Sequence, residues 1–151
     1  MPNTQAMCTS FKVEILGGVH AIGTPPTRGT TAKDTFKAAL YLASATVNAA
    51  TTAYNASGEV SGAGYSAGGI AVTNAIAPTS SGTTAYWTPS ASLTYTGVTL
   101  TTPFDAVLIY NSTQADKAVA VYTFGSQTVT AGNFILTMPT NDASTGLLRI
   151  A

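Results

Sequence analysis

Apolar positions along this chain change their spacing near residue 36. Over residues 9–22, Phe11, Ile15, Val19 and Ile22 recur at intervals of four and three, which puts them on one face of a helix with Lys12 turned away. The spacing predicts a short N-terminal helix. Thr9 or Ser10 would cap it, because either hydroxyl can accept a bond from an unpaired N–H of the first turn. Gly17 and Gly18 weaken its middle, by about 1 kcal/mol each relative to alanine. Residues 1–8 read as a flexible arm ahead of a single domain spanning 9–151, and Pro25 and Pro26 make a loop of 23–29. From Phe36 the period becomes two: Phe36, Ala38, Leu40 and Leu42 alternate with Lys37, Ala39, Tyr41 and Ala43, which predicts a strand, with a helix as the alternative. Residues 46–57, rich in Ala and Thr, have no clear period.

The second half is a series of short β segments separated by turn residues every eight to twelve positions or so, the pattern of an antiparallel sandwich or small barrel. Strands are expected near 69–76, 83–88, 92–96, 104–111, 117–124, 132–138 and 146–150. Residues 104–110 form the most nearly continuous apolar run and should be a central strand buried on both faces. The polar stretch 111–116 predicts a hairpin turn into 117–124, which Gly125 ends. A second turn is expected over 127–133, and Pro139 stops the returning strand. The fold class is therefore mainly β, an antiparallel sandwich or small barrel with a short N-terminal helix.

Residues 59–74 connect the two halves. Gly62, Gly64, Gly68 and Gly69 can take positive φ without a Cβ clash, so the backbone can turn tightly there before Ile70 and Val72 enter a sheet. The same stretch spells G-x-S-x-G around Ser66, the nucleophile elbow of α/β hydrolases. The elbow needs a helix after the serine and a histidine further along the chain. Here a strand follows, and the single histidine, His20, lies upstream. The glycine spacing also misses the dinucleotide-binding fingerprint, and again no helix follows.

Composition narrows the function classes. The chain has 151 residues, enough for one core, yet only 8% are charged and the formal net charge is zero. Free-standing domains normally carry many more charges for solubility, so this composition suits a surface occupied by neighbours. With no Lys/Arg run there is no electrostatic footprint for nucleic acid or anionic lipid, so neither nucleic acid nor membrane is expected as a partner. Lone Cys8 cannot form an intrachain disulfide, and with one histidine no Cys/His metal site is expected; both read as packing residues. No cofactor is expected. Residues 1–6 lack the basic and apolar regions of a signal peptide, which predicts synthesis in a reducing cytoplasm. The sequons at Asn55 and Asn111 read as chance matches in a Ser/Thr-rich chain.

Aromatic and acidic residues offer a few further candidates. Tyr86 and Trp87, beside Pro89, could stack on a sugar or anchor a protein contact, although such rings more often complete a core or subunit interface. Phe11, Tyr65, Tyr86 and Trp87 are the candidate interface residues. Asp105 and Asp142 belong to no acid-pair motif and read as satisfied polar side chains. Residues 141–146 are too short and too poor in acids for a calcium-binding EF-hand loop. With no credible nucleophile, base, metal set or phosphate cradle, binding or assembly is the better class.

Four segments resemble a family of small virion proteins of tailed bacteriophages, described variously as capsid decoration (cement) or virion structural proteins. They are residues 10–20 (SFKVEILGGVH), residues 36–41 (FKAALY), TTAY at 51–54 together with EVSGAGYSAGG at 59–69, and GLLRI at 146–150. The middle segment is the most specific. The Gly17 and Gly18 pair and the Pro25 and Pro26 loop depart from the family's usual pattern. The resemblance implies a non-enzymatic protein on the capsid exterior that binds and stabilises the major capsid protein shell as a symmetric homo-oligomer such as a trimer. The N-terminal arm would be a tether. A tail, neck or head-fibre component is the alternative within assembly, and a carbohydrate-binding module using Tyr86, Trp87 or Tyr95 is the alternative outside it.

Overall fold

The apolar run at 104–110 becomes part of the middle strand of the larger of two sheets. The computed structural model describes residues 2–16, 18–23 and 33–151, so Gly17 and most of the expected 23–29 loop lie outside the described residues. The elements in chain order are β1 (Ala6–Met7), α1 (Thr9–Leu16), β2 (Phe36–Leu42), β3 (Ile70–Val72), β4 (Thr79–Ser81), β5 (Thr84–Trp87), β6 (Leu93–Asn111), β7 (Lys117–Leu136) and β8 (Leu148–Ile150). Every pairing is antiparallel, giving a five-stranded sheet in the order β1-β7-β6-β2-β3 and a three-stranded sheet in the order β4-β5-β8. Among the described residues, the architecture is the mainly β, sandwich-like class with one short helix, two open sheets and no closed barrel.

β6 holds the centre because its upper half, from Phe104 to Asn111, is almost wholly buried between β2 and β7. Tight turn chemistry at 111–116 folds it back onto β7. Asn111 Oδ1 accepts the N–H groups of Thr113 and Gln114, while Ala115 and Asp116 take positive φ of 52° and 57°. The expected hairpin is present. Its arms are much longer than expected, because the two segments 92–96 and 104–111 are one strand and so are 117–124 and 132–138. Gly125 does not end β7, and the turn expected over 127–133 does not form. The extra residues are absorbed as register shifts along the β6 and β7 ladder, with Gly97 and Ala131 at φ of 63° and 47°. A bulge adds a residue and twist without closing a strand.

The helix is shorter than its apolar period suggested. α1 stops at Leu16 because Gly18, at φ 68°, donates to the Ile15 carbonyl while Val19 donates to that of Glu14. These are the paired bonds of a Schellman stop, which needs a left-handed residue that glycine supplies at little strain. Val19 and Ile22 therefore pack from an extended segment. At the other end Ser10 does not act as a cap: its Oγ is buried without a partner, and the Cys8 carbonyl accepts the first helical bond, from Lys12. β3 is also shorter than the 69–76 expected, and β4 is an added strand.

The segment expected as a free arm is fastened to the fold from residue 3 onward. Asn3 donates to the Leu42 carbonyl and to Asp105 and accepts from Val47 N–H, and Thr4 N–H bonds the Val47 carbonyl. β1 then pairs Ala6 with Val121 and Met7 with Ala120. Buried backbone groups must find partners, and this strap supplies them at the β7 edge.

The glycine-rich stretch takes over from β2 as the neighbour of β6. Glu59 bridges Tyr41, Ala63 bridges Thr99, and Ile70 joins Ala38 at the far edge. The backbones approach so closely that a Cβ on Gly62 would sit 2.0 Å from the Thr99 carbonyl oxygen, and one on Gly69 would sit 1.8 Å from that of Ala38. Gly69 also needs its φ of 73°. Gly69→Ala should therefore destabilise the fold by about 2 kcal/mol or more, combining left-handed strain with overpacking. Gly125→Ala, with nothing within 4 Å of its missing Cβ, should stay within about 0.5 kcal/mol of wild type in urea unfolding.

Candidate functional site

Three features could carry function: a tyrosine-lined carboxylate, a buried polar network around His20, and an apolar groove. Each is built from different elements.

Glu59 follows Gly58 at the end of the 46–57 segment and points into a cluster of tyrosines. Its Oε2 accepts from Tyr54 Oη at 2.6 Å, and its Oε1 accepts from Tyr65 Oη at 2.7 Å and from Gly68 N–H at 2.8 Å. Tyr65 Oη also accepts from Leu40 N–H, and its ring stacks on Tyr95. Burial, with the hydrogen bond to Glu59 second, pushes the Tyr65 phenol far above its ordinary range. Tyr65, expected at an interface, is instead a clasp whose hydroxyl is used internally. Tyr110 donates to the Gly68 carbonyl and Tyr95 to that of Ala38. Together these bonds fix the turn made by Gly64, Gly68 and Gly69, all at positive φ. Gly62 is not among the positive-φ glycines, and its role is close approach.

The second feature joins α1, residues 18–23, β6 and β7. His20 Nε2 lies 2.8 Å from Glu14 Oε2, and Lys117 Nζ lies 2.8 Å from Glu14 Oε1. On the other side of the ring, Asn111 Nδ2 contacts His20 Nδ1 at 2.9 Å and donates to Asp34 Oδ2 at 2.7 Å. Asp34 and Asn111 Oδ1 are acceptors here, so the amide orientation is fixed. His20 Nδ1 is thus the acceptor for Asn111, and Nε2–H donates to Glu14. Asn74 bonds the carbonyls of Ala21 and Asp34 and accepts from Gly23 N–H. The network holds residues 18–23 against the sheet; sequence reading missed it because its members lie far apart in the chain. Asn111, the first residue of the second sequon, is fully buried inside it.

This arrangement leaves Ser66 without a base. Ser66 is exposed in the glycine turn, whereas both ring nitrogens of the single histidine are engaged by Glu14 and Asn111. Cys8 is fully buried, and burial followed by the nearby Glu14 charge pushes its thiol up to about 11, away from thiolate chemistry. Asp105 holds Asn3, and Asp142 accepts from the N–H groups of Ser144 and Thr145. Among the described residues no group of three His, Cys, Asp or Glu side chains could hold a metal ion, and no helix is long and apolar enough to cross a membrane.

The apolar groove, of about 340 Å³, lies between α1, residues 18–22 and the three-stranded sheet. It brings together three of the four expected interface residues: Phe11, Tyr86 and Trp87 line it with Ile15, Leu148 and Ile150. Phe11 and Trp87 form its floor and are almost fully buried, and Trp87 Nε1 donates to the Ile76 carbonyl. Tyr86 is half-buried and Ile150 is 50% exposed. Trp87 and Tyr95 thus present no open ring face for sugar stacking.

Around these features the charge distribution is uneven. Residues 60–104 and 118–141 contain no Asp, Glu, Lys, Arg or His, so β3, β4, β5, the lower half of β6 and nearly all of β7 carry no ionic group. Several of the remaining ions turn inward, as Glu14, Asp34 and Glu59 do. No protein-family model, characterised protein or solved structure matches this chain.

Burial alone would raise the Asp34 and Glu14 pKa values, but hydrogen bonds outweigh it. Ala21 N–H, Asn111 and Gln114 hold Asp34 below its ordinary 3.8, and Lys117 and His20 hold Glu14 below its ordinary 4.5. A lowered folded pKa gives stability that is fully present above the unfolded value and lost as pH falls through the folded one. The urea midpoint should fall between about pH 6 and about pH 3. Asp34→Asn should be less stable at the upper pH and show a shallower fall, because one of the two linked carboxylates is gone.

Proposed function

We propose that this chain is a non-enzymatic structural protein of a tailed-phage virion that decorates the head by binding the major capsid protein. The observation that carries the reading is the ion-free surface of residues 60–104 and 118–141, displayed on long strands and bordered by the groove at Phe11, Tyr86 and Trp87. Such a surface offers area and backbone hydrogen bonding in place of reactive groups. The resemblance of residues 10–20, 36–41, 51–54 with 59–69, and 146–150 to small virion proteins supplies the setting. Engaging several shell subunits at once would make modest contacts sufficient, since multivalency can add about 10²–10⁴ in avidity. The carbohydrate-binding alternative loses support from the burial of Trp87 and Tyr95.

The test is cryo-electron microscopy of the phage particles together with cosedimentation of the purified chain with undecorated heads. Density repeating over the head lattice and saturable cosedimentation are expected. Density confined to the portal or tail would reject the decoration role and favour the tail or neck reading. Because the binding surface lacks ions, cosedimentation should change less than about twofold between low and high salt, where the screening length shrinks from about 30 Å to about 3 Å. A steep salt dependence would show that charge pairing drives the contact.

A further inference from the structure

Among the described residues, no strand pairs with the outer edge of β7 beyond the point where the N-terminal strap leaves it. Cys8 N–H bonds the Val119 carbonyl, β1 pairs with Ala120 and Val121, and the Gln5 side chain reaches Thr123 N–H. From Phe124 to Leu136 the strand pairs with β6 on one side, and no strand among the described residues lies on the other. The Gly125 carbonyl accepts from the Gln127 side chain, the one local contact that closes part of this edge. Residues 124–136 contain no charge and no proline, two of the devices that keep a strand edge from recruiting another chain. Among the described residues, the bulged register with β6 is the one such device on this stretch.

We propose that residues 124–136 pair antiparallel with the same residues of a second copy, across a two-fold axis at Thr130, so that the larger sheet continues through a dimer. What this edge offers is main-chain N–H and C=O, which only an extended strand engages in series. Length selects the occupant. The other strands at sheet edges, β1, β3, β4 and β8, have two or three residues each, so the matching edge is β7 of another copy. Two-fold pairing sets every residue near the axis opposite its own counterpart or a close neighbour, which is costly for like charges. This segment has none. Full overlap centred on Thr130 also sets Ile135, 54% exposed in the single chain, opposite Gly125, where nothing lies within 4 Å of the missing Cβ. Contact through one self-complementary edge is isologous and closes as a dimer, in place of the trimer expected from resemblance.

Thr130 is exposed, and a charge placed there would face its own copy across the axis. The isolated full-length chain should sediment as a dimer. Thr130→Lys and Thr130→Glu should each raise the dimer dissociation constant at least about tenfold, with circular dichroism and melting temperature unchanged. An equimolar mixture of the two should restore the dimer, since opposite charges then meet; a partner other than a second copy would not be rescued this way. A monomeric or trimeric wild type, or a dimer that both variants leave intact, overturns the proposal. If either variant melts early, hydrogen exchange of the wild type decides: protection of 124–136 that rises with protein concentration supports the pairing, and concentration-independent exchange overturns it. The measurement uses no capsids, so a dimer that ignores heads would refute the decoration role alone, and a head-binding monomer would refute the dimer alone.

Discussion

The Glu59 carboxylate accepts three short hydrogen bonds, from Tyr54, Tyr65 and Gly68 N–H, and no lysine or arginine among the described residues pairs with it. A half-buried carboxylate without a counter-ion is costly unless its lone pairs are met, and here neutral donors meet them. The consequence is positional. Two tyrosine rings and a glycine amide must converge on one point, which forces the chain to turn back over 62–69 and lie against β6 and then β2. Gly62 and Gly69 follow from that convergence, because the backbone passes too close to Thr99 and Ala38 for any side chain. Five of the seven tyrosines, Tyr41, Tyr54, Tyr65, Tyr95 and Tyr110, spend their hydroxyls in this region. A chain with few ions has used phenols to satisfy its interior.

The sequence disclosed most where a local period is enough to fix the outcome. Phe36 to Leu42 alternates and forms a strand, the apolar run at 104–110 becomes the central strand, and the polar 111–116 becomes its turn. It disclosed less where an element ends, because an ending depends on which bonds form there and on neighbours brought in by the fold. Gly18 could stop α1 or merely weaken it, and only the carbonyls of Glu14 and Ile15 decide. Gly125 and Gly132 look like turn residues, yet β6 runs alongside and pairing overrides their local preference. The candidate site was legible in part. Phe11, Tyr86 and Trp87 meet at one groove as aromatic anchors would, whereas Tyr65 turned inward toward an acid six residues earlier. The His20 network was illegible, since Glu14, Asp34, Asn111 and Lys117 share no motif and meet only through the hairpin.

Inward use of charge adds to the absence of ionic residues from 60–104 and 118–141. Of the acidic side chains, Glu14, Asp34, Glu59 and Asp105 each bond another part of the chain, and Asp142 caps its own turn. Little ionic character remains for β3 to β7. Surfaces of that kind lose the long-range repulsion that keeps like molecules apart, and they gain contacts that form without stripping water from ions. Contacts on such a surface depend on shape and main-chain bonding, both of which persist across salt.

The same reasoning bears on how the fold limits its own association. β7 is long and uncharged, but β1 covers Ala120 and Val121 and the Gln5 side chain extends that cover to Thr123. Pairing by another chain is therefore confined to the stretch beyond Thr123, where register shifts against β6 increase the twist. A flat uncharged edge would add strands without limit. A twisted edge of fixed length, bounded by a strap at one end and Pro139 at the other, accepts one matching strand and then has no edge left to offer.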